Sequence, residues 1–168
     1  MGGDAEDLDR LYREVGPQLL AWLIRRRGNP AAAEDLLQET FAAALRHPKR
    51  LWQAGSQRAY LFGIARNLMV DSYRQTRATT SLPENLAMEP QEPADPRVER
   101  MRETIAKLNP ALREVLELRL QAELSYEEIA TALGVPVGTV RSRLHHAVKQ
   151  LRQMMERLDD DSKNDYGH

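Results

Sequence analysis

Cysteine is absent from the 168 residues, which excludes disulfides and thiolate metal sites. Aromatic residues make up only 5% of the chain, while Leu, Ala, Glu, Arg and Gln abound. That balance favours helix over sheet. No apolar run approaches the roughly 20 residues that span a bilayer. The opening stretch MGGDAEDLDR is acidic and has no apolar core, so it reads as no secretory signal and the expected compartment is the cytoplasm. Catalytic signatures are missing too: there is no HExxH, no Gly-rich phosphate loop and no Ser-His-Asp arrangement. The histidines are His47, His145, His146 and His168. The adjacent pair His145-His146 cannot cup one metal from a single helix face. The chain is therefore expected to be no enzyme, with no cofactor, no metal and no small-molecule substrate.

Charge of one sign is also missing in total but not locally. The net charge is −1, from 24 basic and 25 acidic residues. Between Lys49 and Arg77, however, Lys49, Arg50, Arg58, Arg66, Arg74 and Arg77 face Asp71 alone, a local +5. Between Val137 and Arg152 stand Arg141, Arg143, Lys149 and Arg152 with no acid. Two basic segments with acids elsewhere suggest two contact surfaces for a polyanion. On charge alone, two solvated helix faces explain them equally well.

The stretch TTSLPENLAMEPQEPADPR, Thr79 to Arg97, holds four of the nine prolines, four acids and almost no periodic apolar pattern. Such a segment buries too little surface to offset its ordering entropy and reads as a linker. The predicted organisation is a helical domain over 1–77, a flexible linker over 78–97, a second helical domain over 98–158 and an acidic disordered tail over 159–168. Each domain is near the lower size limit for independent folding.

In the first part, Leu8, Leu11, Tyr12 and Val15 form an apolar stripe that Leu19, Leu20, Trp22, Leu23 and Ile24 continue. Asn29-Pro30 supplies an N-cap and a first-turn proline for the next helix. There Leu36, Leu37, Thr40, Phe41, Ala44 and Leu45 recur at helical spacing. HPKRLWQAGSQ reads as a basic loop. From Gln57 to Arg77, the residues Tyr60, Leu61, Ile64, Ala65 and Leu68 share one face of a helix. Gly63, Arg66, Asn67, Val70, Arg74 and Arg77 share the other.

After the linker, Arg97–Leu108 and Ala111–Leu120 read as two helices broken by an Asn-Pro pair. Ser125 with Glu128 has capping-box spacing, so a helix starts at Tyr126 and stops at Gly134. The next helix, from about Pro136 to Leu158, gathers Val137, Val140, Leu144, Ala147, Val148, Leu151 and Met155 on one arc. Gly138, Arg141, Ser142, His145, His146, Lys149 and Arg152 take the open side. No strand pattern survives, and the expected fold is all-α. A short helix, a glycine turn and this long helix make a helix-turn-helix, whose second member enters the major groove. Arg141 and Ser142 stand where base edges are met, since Arg pairs bidentately with guanine and Ser donates or accepts. Arg143, Lys149 and Arg152 suit phosphates. Spacing alone leaves open an ordinary surface helix of a bundle.

The segment LNPALREVLELRLQAELSYEEIATALGVPVGTVRSRLHHAVKQLR, Leu108 to Arg152, closely resembles the C-terminal DNA-binding domain of bacterial sigma factors. Within the sigma-70 superfamily it looks like the extracytoplasmic-function (ECF) group, through SYEEIA, LGVPVGTVRSRL and the trailing A..QLR. AEDLLQETFAAAL and AYLFGIARNLMVDSYRQ resemble that group's N-terminal promoter-melting domain. The C-terminal motif alone is also compatible with a one-component helix-turn-helix activator that never joins core polymerase. Two motifs in this order make the match specific.

The resemblance implies a division of labour. The C-terminal helix, with Arg141, Ser142, Arg143, His145, His146 and Lys149, reads the upstream (−35) element as duplex. The Gln57–Arg77 helix and the loop before it recognise and melt the downstream (−10) element. Leu51, Trp52, Arg66, Asn67, Arg74 and Arg77 are the candidate contacts there. Asn67 occupies the family position that helps hold a flipped base. Relatives often carry an aromatic at the place of Leu51 and an Arg at the place of His146, and both are departures here. The resemblance makes the Ala31–Leu45 helix the grip on core RNA polymerase, through a ridge of Asp35, Gln38 and Glu39. It also implies an anti-sigma factor as partner, often membrane-anchored.

Overall fold

A computed structural model of the chain describes residues 3–79 and 95–165. Among the described residues there are eight helices and no strand, as the all-α expectation required. The chain divides into two compact units, the first containing α1–α4 and the second α5, α6, α8 and most of α7.

In the first unit, α1 (Gly3–Arg27) buries Leu11, Val15, Leu19, Trp22 and Leu23, a stripe at helical spacing that passes Pro17 without a break. Gly28 ends the helix at φ +69°, a conformation cheap only for glycine. One residue on, the Asn29 side chain accepts hydrogen bonds from the Ala31 and Ala32 amides at 2.9 and 3.3 Å. It thereby starts α2 (Pro30–Leu45), with Pro30 in the first turn. The α2 face of Ala33, Leu36, Leu37, Thr40, Phe41 and Ala44 is buried. Thr40 hides its hydroxyl by donating to the Leu36 carbonyl at 2.6 Å.

The stretch read as a basic loop folds instead as a short helix, α3 (Pro48–Gln53), with Leu51 wholly buried. Proline at the first position fixes φ for a helical start, and burial of Leu51 supplies what six residues cannot supply by propensity alone. Ser56 then accepts from the Ala59 amide at 3.1 Å and starts α4 (Gln57–Thr79). The buried face of α4 is Ala59, Leu61, Phe62, Ala65 and Met69. Tyr60, Ile64 and Leu68, expected inside, are half-buried. The helix is turned from the expected face because Phe62 tilts against Trp22, ring centroids 5.4 Å apart, and carries its own side of α4 into the core. Two hydrogen bonds further tie α1 to α4: Arg58 to Gln18 at 3.3 Å and Arg27 to Ser72 at 3.2 Å.

In the second unit, α5 (Pro96–Ala106) and α6 (Pro110–Leu120) each follow an Asx-Pro start. Asp95 accepts from the Arg97 amide at 2.9 Å and Asn109 from the Ala111 amide at 3.0 Å. Both α5 and α6 pack on α8 (Val137–Asp165). The core joins Val115, Leu116, Leu118, Ala122, Leu124 and Ile129 with Val140, Leu144 and Ala147 of α8. Two expectations for α8 need correction. Val148, placed on the buried arc, is 47% exposed, because it sits at the edge of that arc, seven residues from exposed Arg141 and on nearly the same bearing. The segment 159–165, expected to be a disordered tail, continues α8 to Asp165. Residues 80–94, the bulk of the expected linker, and residues 166–168 lie outside the described residues.

Candidate nucleic-acid interface

The second unit builds its exposed face from local rules. Ser125 and Glu128 form the reciprocal capping box: the Glu128 amide donates to the Ser125 hydroxyl and the Ser125 amide to the Glu128 carboxylate, both at 3.1 Å. The start of α7 (Tyr126–Leu133) is thereby fixed. Arg119 braces the same corner, donating to the Leu124 carbonyl at 3.0 Å with its guanidinium 5.3 Å from the Tyr126 ring centre. At the other end Gly134 takes φ +65°. The Gly134 amide reaches the Thr131 carbonyl and the Val135 amide the Ala130 carbonyl, at 3.3 and 3.1 Å. This turn aims α8 away from α7 with no side chain at Gly138 or Gly134 to crowd an approaching surface.

On α8, Arg141, Ser142, His145, His146 and Lys149 are all exposed, as is Arg152, while Arg143 is half-buried on the flank. The His145 and His146 rings meet edge-on, centroids 5.9 Å apart. From Val137 to Met155 there are four cations and no acid, at the end of the helix that also carries the positive pole of the backbone dipole. The arrangement offers bidentate, hydroxyl and imidazole donors along one edge of a rod, the shape that fits a major groove.

The first unit arranges its groups differently. On α4, Asn67 and Arg74 are exposed and Arg66 is half-buried. Arg77 is in the same helix, but its side chain lies outside the described residues. Trp52 is half-buried on α3. Leu51, at 0% exposure, has no face to offer a base and is a core residue, which corrects the expectation that it contacts the downstream element. Its alternation with Trp52 along α3 turns one of the two inward, and the smaller fills the core. Beside them Arg46, His47, Pro48, Lys49 and Arg50 line a shallow surface depression. Sequence reasoning placed Lys49 and Arg50 in the basic segment but did not single out Arg46 or Tyr73. Tyr73 is 48% exposed on α4, and its seven-residue spacing from Arg66 was the available signal.

A third surface lies on α2, where Asp35, Gln38 and Glu39 are exposed together at helical spacing. Gln38 donates to the Tyr12 hydroxyl at 3.2 Å, and the Tyr12 ring leans on Phe41 at 4.9 Å. The ridge is thus braced from α1 and not merely projecting. Among the described residues no group of His, Asp and Glu is placed to hold a metal ion, and no helix is long and apolar enough to cross a membrane.

Comparison with known proteins places the chain in a family. Residues 11–79 match the model of sigma-70 region 2, and residues 99–161 match that of sigma-70 region 4. The chain is 34% identical over 157 residues to the ECF RNA polymerase sigma factor SigL of Mycobacterium tuberculosis, covering 88% of each chain. It is 34% identical over 156 residues to the ECF RNA polymerase sigma factor EcfG of Rhodopseudomonas palustris, covering 90% of this chain and 84% of that one. Among solved structures it is similar to the sigma factor RpoE of Bartonella quintana, determined in complex with the anti-sigma factor NepR. The TM-score there is 0.69 at 25% identity, over 90% of this chain and 98% of that one. CnrH, determined in complex with the cytosolic domain of CnrY, gives 0.63 at 27% identity, over 93% and 92%. With both regions matched in order and relatives of this identity covering most of its length, the chain belongs to the ECF RNA polymerase sigma factors.

Proposed function

We propose that this chain binds core RNA polymerase and directs promoter-specific transcription initiation. The observation that carries the reading is the α8 face: Arg141, Ser142, His145, His146 and Lys149 exposed in an acid-free stretch, behind a capped α7 and a glycine turn. That face reads the upstream element as duplex, Arg141 and Ser142 at base edges, Arg143 and Lys149 at phosphates, and the two histidines between them. The α4 face of Arg66, Asn67, Arg74 and Arg77, with Trp52 beside it, holds the downstream element once its strands part. Extruding a base costs a few kcal/mol, which a pocket contact recovers only after separation. The braced ridge of Asp35, Gln38 and Glu39 on α2 docks a basic surface of the polymerase. In this scheme the protein performs no reaction of its own, and its place is the cytoplasm.

The complexes of similar sigma factors with anti-sigma factors support regulation of this chain in the same way. An anti-sigma factor that covers the polymerase-docking and DNA-facing helices would hold it inactive. Run-off transcription with core polymerase, with and without the chain, tests the main reading. Initiation at defined start sites only when the chain is added is the expected result. Tight binding to promoter DNA without any association with core polymerase would make the chain a helix-turn-helix activator instead.

A further inference from the structure

The edge of α8 that carries Arg141 and Lys149 also carries two groups whose charge is not fixed. His145 lies one turn beyond Arg141 and one turn before Lys149, and His146 lies one turn beyond Ser142. Both imidazoles are exposed. Their rings meet edge-on, 5.9 Å between centroids. Among the described residues neither ring is hydrogen-bonded or ion-paired. Imidazole is the side chain that ordinarily changes charge between about pH 5 and 8.

The surroundings of the pair decide which partner can hold that proton. Within α8 the charged neighbours are Arg141, Arg143 and Lys149, and no acid stands between Val137 and Met155. Helix α6 packs on α8 where Val140, Leu144 and Ala147 are buried, the side away from the rings. Of its cations, Arg113 donates to the Ala106 carbonyl at 3.2 Å and Arg119 to the Leu124 carbonyl at 3.0 Å. Its acids, Glu114 and Glu117, form no ion pair with either ring. Helix α5 meets α8 further along, through Thr104 at Met155 and Arg100 at Asp159. The protein thus sets cations beside the histidines and no carboxylate against them. A row of phosphates supplies the missing charge. It favours the protonated ring, and each ring so charged adds one more cation to the contact.

We propose that His145 and His146 couple recognition of the upstream duplex to proton uptake, so that the α8 face binds DNA more tightly as pH falls from about 8 to about 6. The proposal rests on the reading of α8 as the groove-entering helix. The proton comes from solvent and returns to it when the duplex leaves. The added affinity is present while the bound rings stay charged and is lost as pH rises and they discharge.

The test measures binding of the full chain to a labelled duplex of randomised sequence at about pH 6 and about pH 8, over several salt concentrations. A salt slope of about −0.9 per neutralised phosphate makes one further cation worth about 8-fold in affinity at about 0.1 M salt. Wild type is expected to gain about that factor at the lower pH for each ring that charges, with its salt slope steeper by about 1 per ring. His145→Gln combined with His146→Gln should remove both changes. His47→Gln, on the first unit, should keep them. The proposal is overturned if wild type shows the same affinity and salt slope at both pH values, if the double variant keeps the wild-type response, or if His47→Gln loses it. A separate result sinks the underlying reading as well: a wild-type chain that binds no duplex at either pH.

Discussion

The two basic helices, α4 and α8, show how differently a chain prepares to meet duplex and to meet an opened strand. Over its first half α8 buries three side chains and leaves Arg141, Lys149 and both histidines standing clear on one edge, with Arg143 half-buried on the flank. It is a probe made to enter a groove, and its position is fixed by a cap and a glycine turn. Among the described side chains of α4 five are buried, Arg66 is half-covered, and polar, aromatic and cationic groups are mixed on the remaining surface. On the proposed reading, that surface is a wall that receives something flexible. A groove reader needs reach, whereas a strand holder needs shape and a solid backing.

The largest expected effect tests whether that backing is core. Leu51→Ala removes a fully buried side chain under the strand-holding surface and is expected to destabilise the first unit by about 2–5 kcal/mol. Urea unfolding would show it, with Leu51→Met tolerated within about 1.5 kcal/mol. If Leu51→Ala instead left stability alone and blocked only promoter opening, the contrast between backing and contact would collapse.

Next comes the groove reader. Arg141→Ala is expected to cost about 1–3 kcal/mol on the upstream element and to relax preference there. Lys149→Ala should weaken all sequences alike and lower the salt slope by about 1. Titrations against specific and random duplex at several salt concentrations separate the two, and identical profiles would mean the face is assigned wrongly. Ser125→Ala removes the capping hydroxyl of α7 and is expected to cost about 0.5–2 kcal/mol of stability. Its DNA affinity should fall only through that loss, so preference between bases in the upstream element stays as it was.

The smallest effect sharpens the strand side. Asn67→Ala is expected to forfeit about 0.5–1.5 kcal/mol, one hydrogen bond's worth, and only in open-complex formation. Permanganate reactivity on a matched template should drop, and a template mismatched over the downstream element should restore most of it. Loss of polymerase association, or no rescue by the mismatch, would make Asn67 a structural residue.

The α8 side of this comparison was the more legible from sequence. Its limits are written in local chemistry: Ser125 with Glu128, Gly134 at positive φ, and alternating apolar and basic residues. Capping rules act over three or four residues, so a reader of the chain can apply them. The α4 side depends on partners far away in sequence. Nothing near Leu51 says that it, and not Trp52, is swallowed by the core, and nothing near Phe62 says that Trp22 awaits it. Hence the short helix α3 passed for a loop, and the buried face of α4 was set too far round. The α2 ridge was visible as a pattern, but its brace from Tyr12 joins residues 26 apart and needed the fold. Val148 failed for a different reason: it stands at the edge of the apolar arc, seven residues from Arg141, while the stripe itself runs on to Met155 against Thr104.

The unexpected length of α8 gives it an electrical polarity. From Val137 to Gln153 it carries +4, and from Met154 to Asp165 five acids against Arg157 and Lys163 leave −3. At about 1.5 Å per residue the rod is roughly 43 Å long, several times the screening length of about 8–10 Å at physiological salt. Each end therefore feels a nearby polyanion almost independently. DNA pulls the leading end inward and pushes the trailing end away, a torque that turns the helix tip-first before any base is touched. On the proposed reading of α8 as the groove-entering helix, the acidic stretch from Met154 onward would then add to the orientation of the encounter.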